Sequence, residues 1–258
     1  MELPDNIRAA MREDAAKRQP EEACGFVLRV NGELVLRPAK NTSNRPVATR
    51  QHAATFRIAP EDFEAAEDEG EIVELYHSHV NESPNPSPTD IAISEKHQIV
   101  SRIISYPGFE EFVYVPKGYA PPLLGRTFVH GIWDCYALLR DFYREKLSIE
   151  LPDFEREDEW WLPKKNEKGE IIAPAQNLYL DHLEEAGFRR VEDLRLYDAI
   201  LMQINSDVPN HVAVYVAEGM IMHHLFDRKS CEQPYHANFG YYAKHSYAIC
   251  RHETNPSR

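Results

Sequence analysis

The chain has 258 residues, of which 43% are hydrophobic, enough for one large domain or two of ordinary size with buried cores. It carries 42 acidic against 29 basic residues, a formal charge of −13, and no basic run, which excludes nucleic-acid backbone and anionic membrane as natural partners. No apolar stretch reaches the roughly 20 residues that span a bilayer, and the start MELPD has no basic region followed by an apolar run, so the expectation is a folded protein made in the cytosol without a secretory signal.

Residues 5–18 (DNIRAAMREDAAKR) place Ile7, Ala10, Met11 and Ala15 at helical spacing behind Asp5 as a cap. CGFVLRV and ELVLRP read as strands around Asn31-Gly32, a dipeptide that supplies the positive φ angles of a two-residue hairpin. Residues 60–69 predict a helix, EIVELYHSH a strand, TDIAISEKHQIV a helix after Pro88, and EEFVYVP a further strand. This first half is an α/β unit. Residues 117–124 (KGYAPPLL) hold Gly118 and Pro121-Pro122 without periodicity and predict a linker between domains at 1–116 and 125–258. Beyond it DCYALLRDFYREKL and NLYLDHLEEAGF predict amphipathic helices, with residues 152–175 a long surface loop between them. AILMQI, HVAVYV, MIMHHLF and SYAICR then read as short strands of an antiparallel sheet, so the second half is α+β.

The strand that begins at Glu71 ends in His77-Ser78-His79. Side chains two apart on a strand share a face, so both imidazoles can address one metal. Asp90, in the first turn of the next helix, completes a His-His-Asp set, which is what a hydrolytic zinc needs with a fourth position open. Ser87 is placed to hydrogen-bond water or a developing oxyanion. A bare His-x-His is more often a solvated loop. The longer pattern, His77-Ser78-His79, seven residues, Ser87, two residues, Asp90, resembles the signature of the JAMM (MPN-plus) metalloprotease family. That family also carries Glu-x-x-Gly ahead of an apolar run on an early strand, matched here by Glu22-Ala23-Cys24-Gly25-Phe26-Val27-Leu28; Glu21 is displaced by one position. The resemblance implies that His77, His79 and Asp90 bind Zn²⁺, that Glu22 takes a proton from the attacking water, that Ser87 supports the tetrahedral intermediate, and that the reaction is amide hydrolysis.

The four cysteines, Cys24, Cys135, Cys231 and Cys250, form no Cys-x-x-Cys pair and no disulfide framework. Cys24 reads as a small buried side chain. Cys135 opens a helix, where backbone amides and the dipole favour thiolate, although buried helical cysteines are common. A nucleophilic thiol also needs a base and the base an orienting partner, and adjacent strands can present both at one depth. His211 on HVAVYV and a histidine of MIMHH make a Cys-His-His set with Cys135. Asp134-Cys135 at a helix start and the run His211 to Tyr215 resemble the NlpC-type cysteine peptidases, a papain-like family that cuts peptide stems of bacterial cell wall. In that family the third polar residue lies twelve positions after the histidine, which implies His223 over His224, with Cys135 as nucleophile, His211 as base and His223 as orienter. Tyr136-Ala137 stands where the family usually has Ser-Gly, and its upstream tyrosine has no clear counterpart. Trp160-Trp161 suits a binding surface or packing on its own domain, His130 reads as a core or surface histidine, and Cys231 and Cys250, lacking a matching base, read as structural.

An MPN-plus domain followed by an NlpC-type domain resembles a family of tail-tip assembly proteins of lambda-like bacteriophages, with Gly125 to Gly131 part of the likeness. The resemblance implies a JAMM-like fold joined to a papain-like NlpC-type fold and a bifunctional peptidase. Its partners would be other phage tail-tip proteins and peptidoglycan peptide, with no nucleic acid and no membrane insertion. Its location would be the host cytoplasm during assembly and then the virion tail. Two other readings are an assembly factor that acts by contacts and, from some relatives of the first domain, an isopeptidase for a ubiquitin-like modifier.

Overall fold

Ile7, Met11 and Ala15 fall on one face of helix α1 (Asp5–Arg18) and are buried against a sheet. The computed structural model describes residues 2–43, 56–157, 159–166 and 168–255, and the chain divides into two units, Met1–Ala120 and Pro121–Arg258. In the first unit α1 is followed by β1 (Cys24–Val30), β2 (Glu33–Ala39), α2 (Pro60–Glu69), β3 (Glu71–Val80), α3 (Pro88–His97), β4 (Val100–Tyr106) and β5 (Glu111–Tyr114). The sheet order is β2-β1-β3-β4-β5, antiparallel except for the β3–β4 pair that α3 connects. Alternation along the strands separates two cores. Ala23, Val27, Tyr76 and Ile104 meet α1, while Cys24, Phe26, Leu28 and Leu75 meet Phe56, Ile58 and Ala66 on the opposite face. Asn31 and Gly32 both have positive φ, as the hairpin requires.

Three expectations for this unit need correction. Asp5 does not cap α1; Pro4 occupies that position and no side chain bonds the orphan amides. The helix after Pro88 stops at His97, where Gln98 turns left-handed with φ 54°. The residues that follow form β4, a central strand with no counterpart in the sequence reading. Arg102 at its middle masks the apolar pattern, and it is buried because Glu74 (2.7 Å) and Glu111 (3.0 Å) pair with it.

In the second unit α4 (Cys135–Phe142) runs into a π-helical turn, Tyr143–Leu147. Then come β6 (Lys164–Lys165), β7 (Ile171–Ala173), α5 (Leu178–Asp181), β8 (Phe188–Val191), β9 (Ala199–Met202), β10 (His211–Ala217), β11 (Met220–His223), β12 (Cys231–Pro234), α6 (Ala237–His245) and β13 (Ser246–His252). Six strands form an antiparallel sheet in the order β12-β11-β10-β9-β13-β8. Leu138, Leu139 and Phe142 of α4 pack with Leu201, Val212, Val214 and Met222, and the alternate residues Ile200, Met202, Ala213 and Ile221 pack with Tyr242 of α6. The segment from Asn177 to Phe188, expected to be one helix, contains only the single turn α5. Gly187, with φ 78°, precedes β8, and a side chain there would meet the His252 ring at 2.6 Å. The expected 152–175 loop contains the small β6–β7 hairpin. Among the described residues no helix is long and apolar enough to cross a membrane.

Candidate active sites

In the first unit, β3 presents His77 and His79 on one face of the sheet. Ser78 between them anchors the strand to β1: its N–H donates to the Ala23 carbonyl at 2.9 Å and its Oγ accepts the Ala23 N–H at 2.8 Å. Asp90 is fixed by reciprocal capping of α3, in which Ser87 Oγ accepts the Asp90 N–H (3.2 Å) and Asp90 Oδ2 accepts the Ser87 N–H (2.7 Å). The three donors form a small triangle. His77 Nε2 is 3.2 Å from His79 Nε2 and 3.2 Å from Asp90 Oδ1, and His79 Nε2 is 3.4 Å from Asp90 Oδ2. Tetrahedral ligands held 2.0–2.1 Å from a zinc ion stand about 3.3–3.4 Å from one another; one ligand atom from each of the three side chains lies within 4.8 Å of the others, a cluster that could hold such a metal. His79 Nδ1–H donates to the Ser83 carbonyl at 2.8 Å, which fixes the tautomer that leaves Nε2 a lone pair. His77 stacks on Phe56 at 4.4 Å. All three donors are buried, and among the described residues no other group of His, Cys, Asp and Glu is so arranged.

Glu22 reaches this site through strand register. Cys24 pairs with His77, and Ser78 bonds Ala23, so one further step sets Glu22 across from His79, on the face that carries both histidines. Glu22 is buried. Burial lowers the His79 pKa, but the hydrogen bond and charge of Asp90, with the charge of Glu22, raise it above its ordinary value. Burial also opposes ionisation of Asp90, yet the two histidines hold its carboxyl well below the usual carboxylate range. Gly25 has a steric reason: a Cβ there would stand 2.4 Å from the Arg37 carbonyl oxygen on β2. Cys24 is silent, its thiol pushed by burial to about 12.

In the second unit, Asp134 sets where α4 begins. Its carboxylate accepts the Ala137 and Gly131 N–H groups, each at 2.9 Å, and pairs with Arg156 at 2.8 Å. Burial raises its pKa, but Arg156 outweighs that and holds it at about 2. The thiol of Cys135 is thereby fixed at the first helical residue. Its Sγ lies 3.2 Å from the Tyr179 hydroxyl and beside the backbone N–H of Val212, the neighbour of His211. Adjacent strands β10 and β11 bring His211 Nε2 to 3.1 Å from His223 Nδ1, so Nδ1 is the remaining nitrogen of His211. Burial, then the charge of Asp134, pushes the thiol up to about 11, and burial with the fields of His223 and His224 takes His211 well below its ordinary value. At neutral pH the resting pair is a thiol and a neutral imidazole.

His224 Nε2 faces the Arg228 carbonyl at 3.1 Å and its ring meets Phe128, while His130 Nε2 faces the Glu157 carbonyl at 2.8 Å. Trp160 is buried and packs edge-on against Tyr179 at 5.6 Å, with both lining an apolar cavity whose wall includes Val212. Cys250 is buried, its thiol near 12. Cys231, expected to be structural and without a base, pairs with His223 across β11 and β12, and its Sγ is 3.8 Å from His223 Nε2. Tyr179 is a site residue that the sequence does not mark. It lies 44 positions after Cys135, in a segment whose pattern reads only as amphipathic helix, and no motif marks it.

The geometry describes a chain with a JAB-type domain and an NlpC/P60-type domain. Residues 4–116 match the family of prokaryotic homologs of the JAB domain, and residues 125–251 match the NlpC/P60 family. The tail tip assembly protein K of Escherichia phage N15 is 32% identical over 245 residues, covering 95% of this chain and 93% of that protein. The protein of that name from Escherichia phage lambda is 37% identical over 180 residues, covering 69% of this chain and 82% of the relative. A solution structure of a protein from Salinibacter ruber covers 50% of this chain and 95% of its own, at 23% identity and a TM-score of 0.30. The chain belongs to the tail tip assembly protein K family of lambda-like phages. Its role is tail-associated, and its second half is a domain of a peptidase family.

Proposed function

We propose that the chain is a tail-associated hydrolase with two centres, in which Cys135 cleaves the stem peptide of peptidoglycan and a zinc site in the first unit cleaves a peptide or isopeptide bond. The observation that carries the reading is the 3.1 Å contact between His211 Nε2 and His223 Nδ1, which leaves Nδ1 as the nitrogen of His211 that can act as a base. His211 Nδ1 takes the Cys135 proton as Sγ attacks the peptide carbonyl. The imidazolium so formed is stabilised through Nε2–H by His223, then protonates the leaving amine; water released onto the thioester by the same base regenerates the thiol. A neutral resting pair is consistent with proton transfer that occurs only once substrate is in place.

In the first unit His77, His79 and Asp90 would hold zinc, and when bound there zinc supplies Lewis acidity, which acidifies water and polarises a carbonyl. Glu22 accepts the proton of the attacking water and delivers it to the leaving amine. Ser87 Oγ accepts at the Asp90 N–H, so its own hydroxyl proton can be donated to the developing oxyanion. The partners are other tail-tip proteins and wall peptide, and the sites of action are the host cytoplasm during assembly and then the virion tail. Incubation of purified peptidoglycan with the wild-type chain and with Cys135→Ala tests the reading: soluble peptide is released by the first alone, and equal release by both overturns it.

A further inference from the structure

We propose that Gln233 is a positioning residue that sets the direction of the proton relay between Cys135, His211 and His223; the inference rests on the hydrolase reading above and adds a residue that reading does not use. Gln233 lies on β12, which pairs antiparallel with β11. Its terminal amide contacts His223 Nε2, and the same amide atom stands 2.5 Å from the hydroxyl of Tyr242. Tyr242 comes from α6, is buried, and meets the His223 ring edge-on at 4.8 Å. The other group at this nitrogen, Cys231 Sγ at 3.8 Å, is too weak a partner to fix a tautomer.

A neutral imidazole carries one N–H, so each contact in this chain decides the next. As placed, the amide nitrogen faces His223 and Tyr242, and a half-turn about χ3 exchanges it for the carbonyl oxygen. With nitrogen inward, the amide donates to His223 Nε2, His223 carries its proton on Nδ1 and donates it to His211 Nε2, and His211 must carry its own proton on Nδ1. His211 Nδ1 then has no lone pair to accept a proton, and no base is present. With Oε1 inward, the two lone pairs of the carbonyl accept the His223 Nε2–H and the Tyr242 O–H. His223 Nδ1 then accepts from His211 Nε2–H, and His211 Nδ1 keeps the lone pair that can take a proton. Gln233 thus selects between a competent and an inverted relay.

Long-range proton–nitrogen NMR of the full chain, labelled on its histidine nitrogens, reads the tautomers directly and needs no substrate. The expected wild-type result is both His211 and His223 protonated on Nε2. Gln233→Leu should divide His223 and His211 between tautomers and slow alkylation of Cys135 by iodoacetamide at neutral pH by about tenfold or more. Gln233→Glu, whose carboxylate can only accept, should restore both the Nε2–H tautomers and the alkylation rate. Wild-type His211 protonated on Nδ1 would overturn the proposal, as would a folded Gln233→Leu with unchanged tautomers or a folded Gln233→Glu that fails to restore them. If Gln233→Leu does not fold, the wild-type and Gln233→Glu spectra decide. A chain that releases no wall peptide yet shows this tautomer dependence would fail the hydrolase reading and leave the relay standing.

Discussion

Cys24 and His77 face one another across β1 and β3, and that one pairing carries Glu22 to His79. The proposed metal ligands His77 and His79 and the proposed proton acceptor therefore share one sheet, while Asp90 arrives from the cap of α3. Glu22 stands outside the donor triangle, so loss of its carboxylate should not release the metal. We expect one zinc per chain in the wild type and in Glu22→Gln after dialysis, and near none in Asp90→Asn or His77→Ala, by elemental mass spectrometry. Retention of zinc by Asp90→Asn would remove it from the ligand set.

The close approach of β2 to Gly25 makes a stability prediction. A methyl group at this position would overlap the Arg37 carbonyl oxygen, a backbone atom that moves only if the hairpin moves. Gly25→Ala should destabilise the first unit by about 1–3 kcal/mol, read from urea denaturation of the wild type and the variant. Equal stabilities would show that the strand yields at no cost.

Acid should weaken the second unit through its histidines. Burial, with neighbouring positive charge, lowers His223 and His224 to about 4 from an ordinary 6.5. Between those values the unfolded chain binds more protons than the folded one, so stability is full above about pH 6.5 and falls as pH drops toward 4, by an amount on the order of 3 kcal/mol for one such histidine. Denaturation midpoints at pH 7 and 4.5 should show this loss, and His224→Leu should show a shallower pH dependence. An equal slope in both proteins would contradict the assignment.

The thiol gives a second pH prediction. Burial, then the charge of Asp134, holds Cys135 near 11, and the hydrogen bond from Tyr179 acts in the opposite sense. Alkylation of Cys135 without substrate should keep rising with pH toward 11 instead of levelling near the ordinary thiol value. Tyr179→Phe should move the profile further alkaline. A rate that levels below pH 8 would mean a preformed thiolate and a different resting state.

Much of both sites was legible because it is local. A strand's two-residue period and the first turn of the next helix bring His77, His79 and Asp90 together, and the histidines of two adjacent strands meet across one pair, so the spacings in sequence carry the geometry. What escaped depends on distant partners. Arg102 breaks the apolar pattern of β4 until Glu74 and Glu111 are seen to satisfy it. Strand β12 hides behind exposed Glu232 and Pro234, so Cys231 and Gln233 gave no sign of standing at His223. Tyr179 belongs to a segment that patterns as helix yet forms one turn, and only the tertiary fold brings its hydroxyl to the thiol.

The most direct test of the account is mass spectrometry of soluble fragments released from purified peptidoglycan by the wild-type chain and by Cys135→Ala, each with and without a zinc chelator. Stem-peptide fragments are expected from the wild type with or without chelator and none from Cys135→Ala, which would assign wall cleavage to the cysteine centre and leave the proposed zinc centre a separate substrate. Fragments from Cys135→Ala equal to those from the wild type, or release that the chelator alone abolishes, would contradict it.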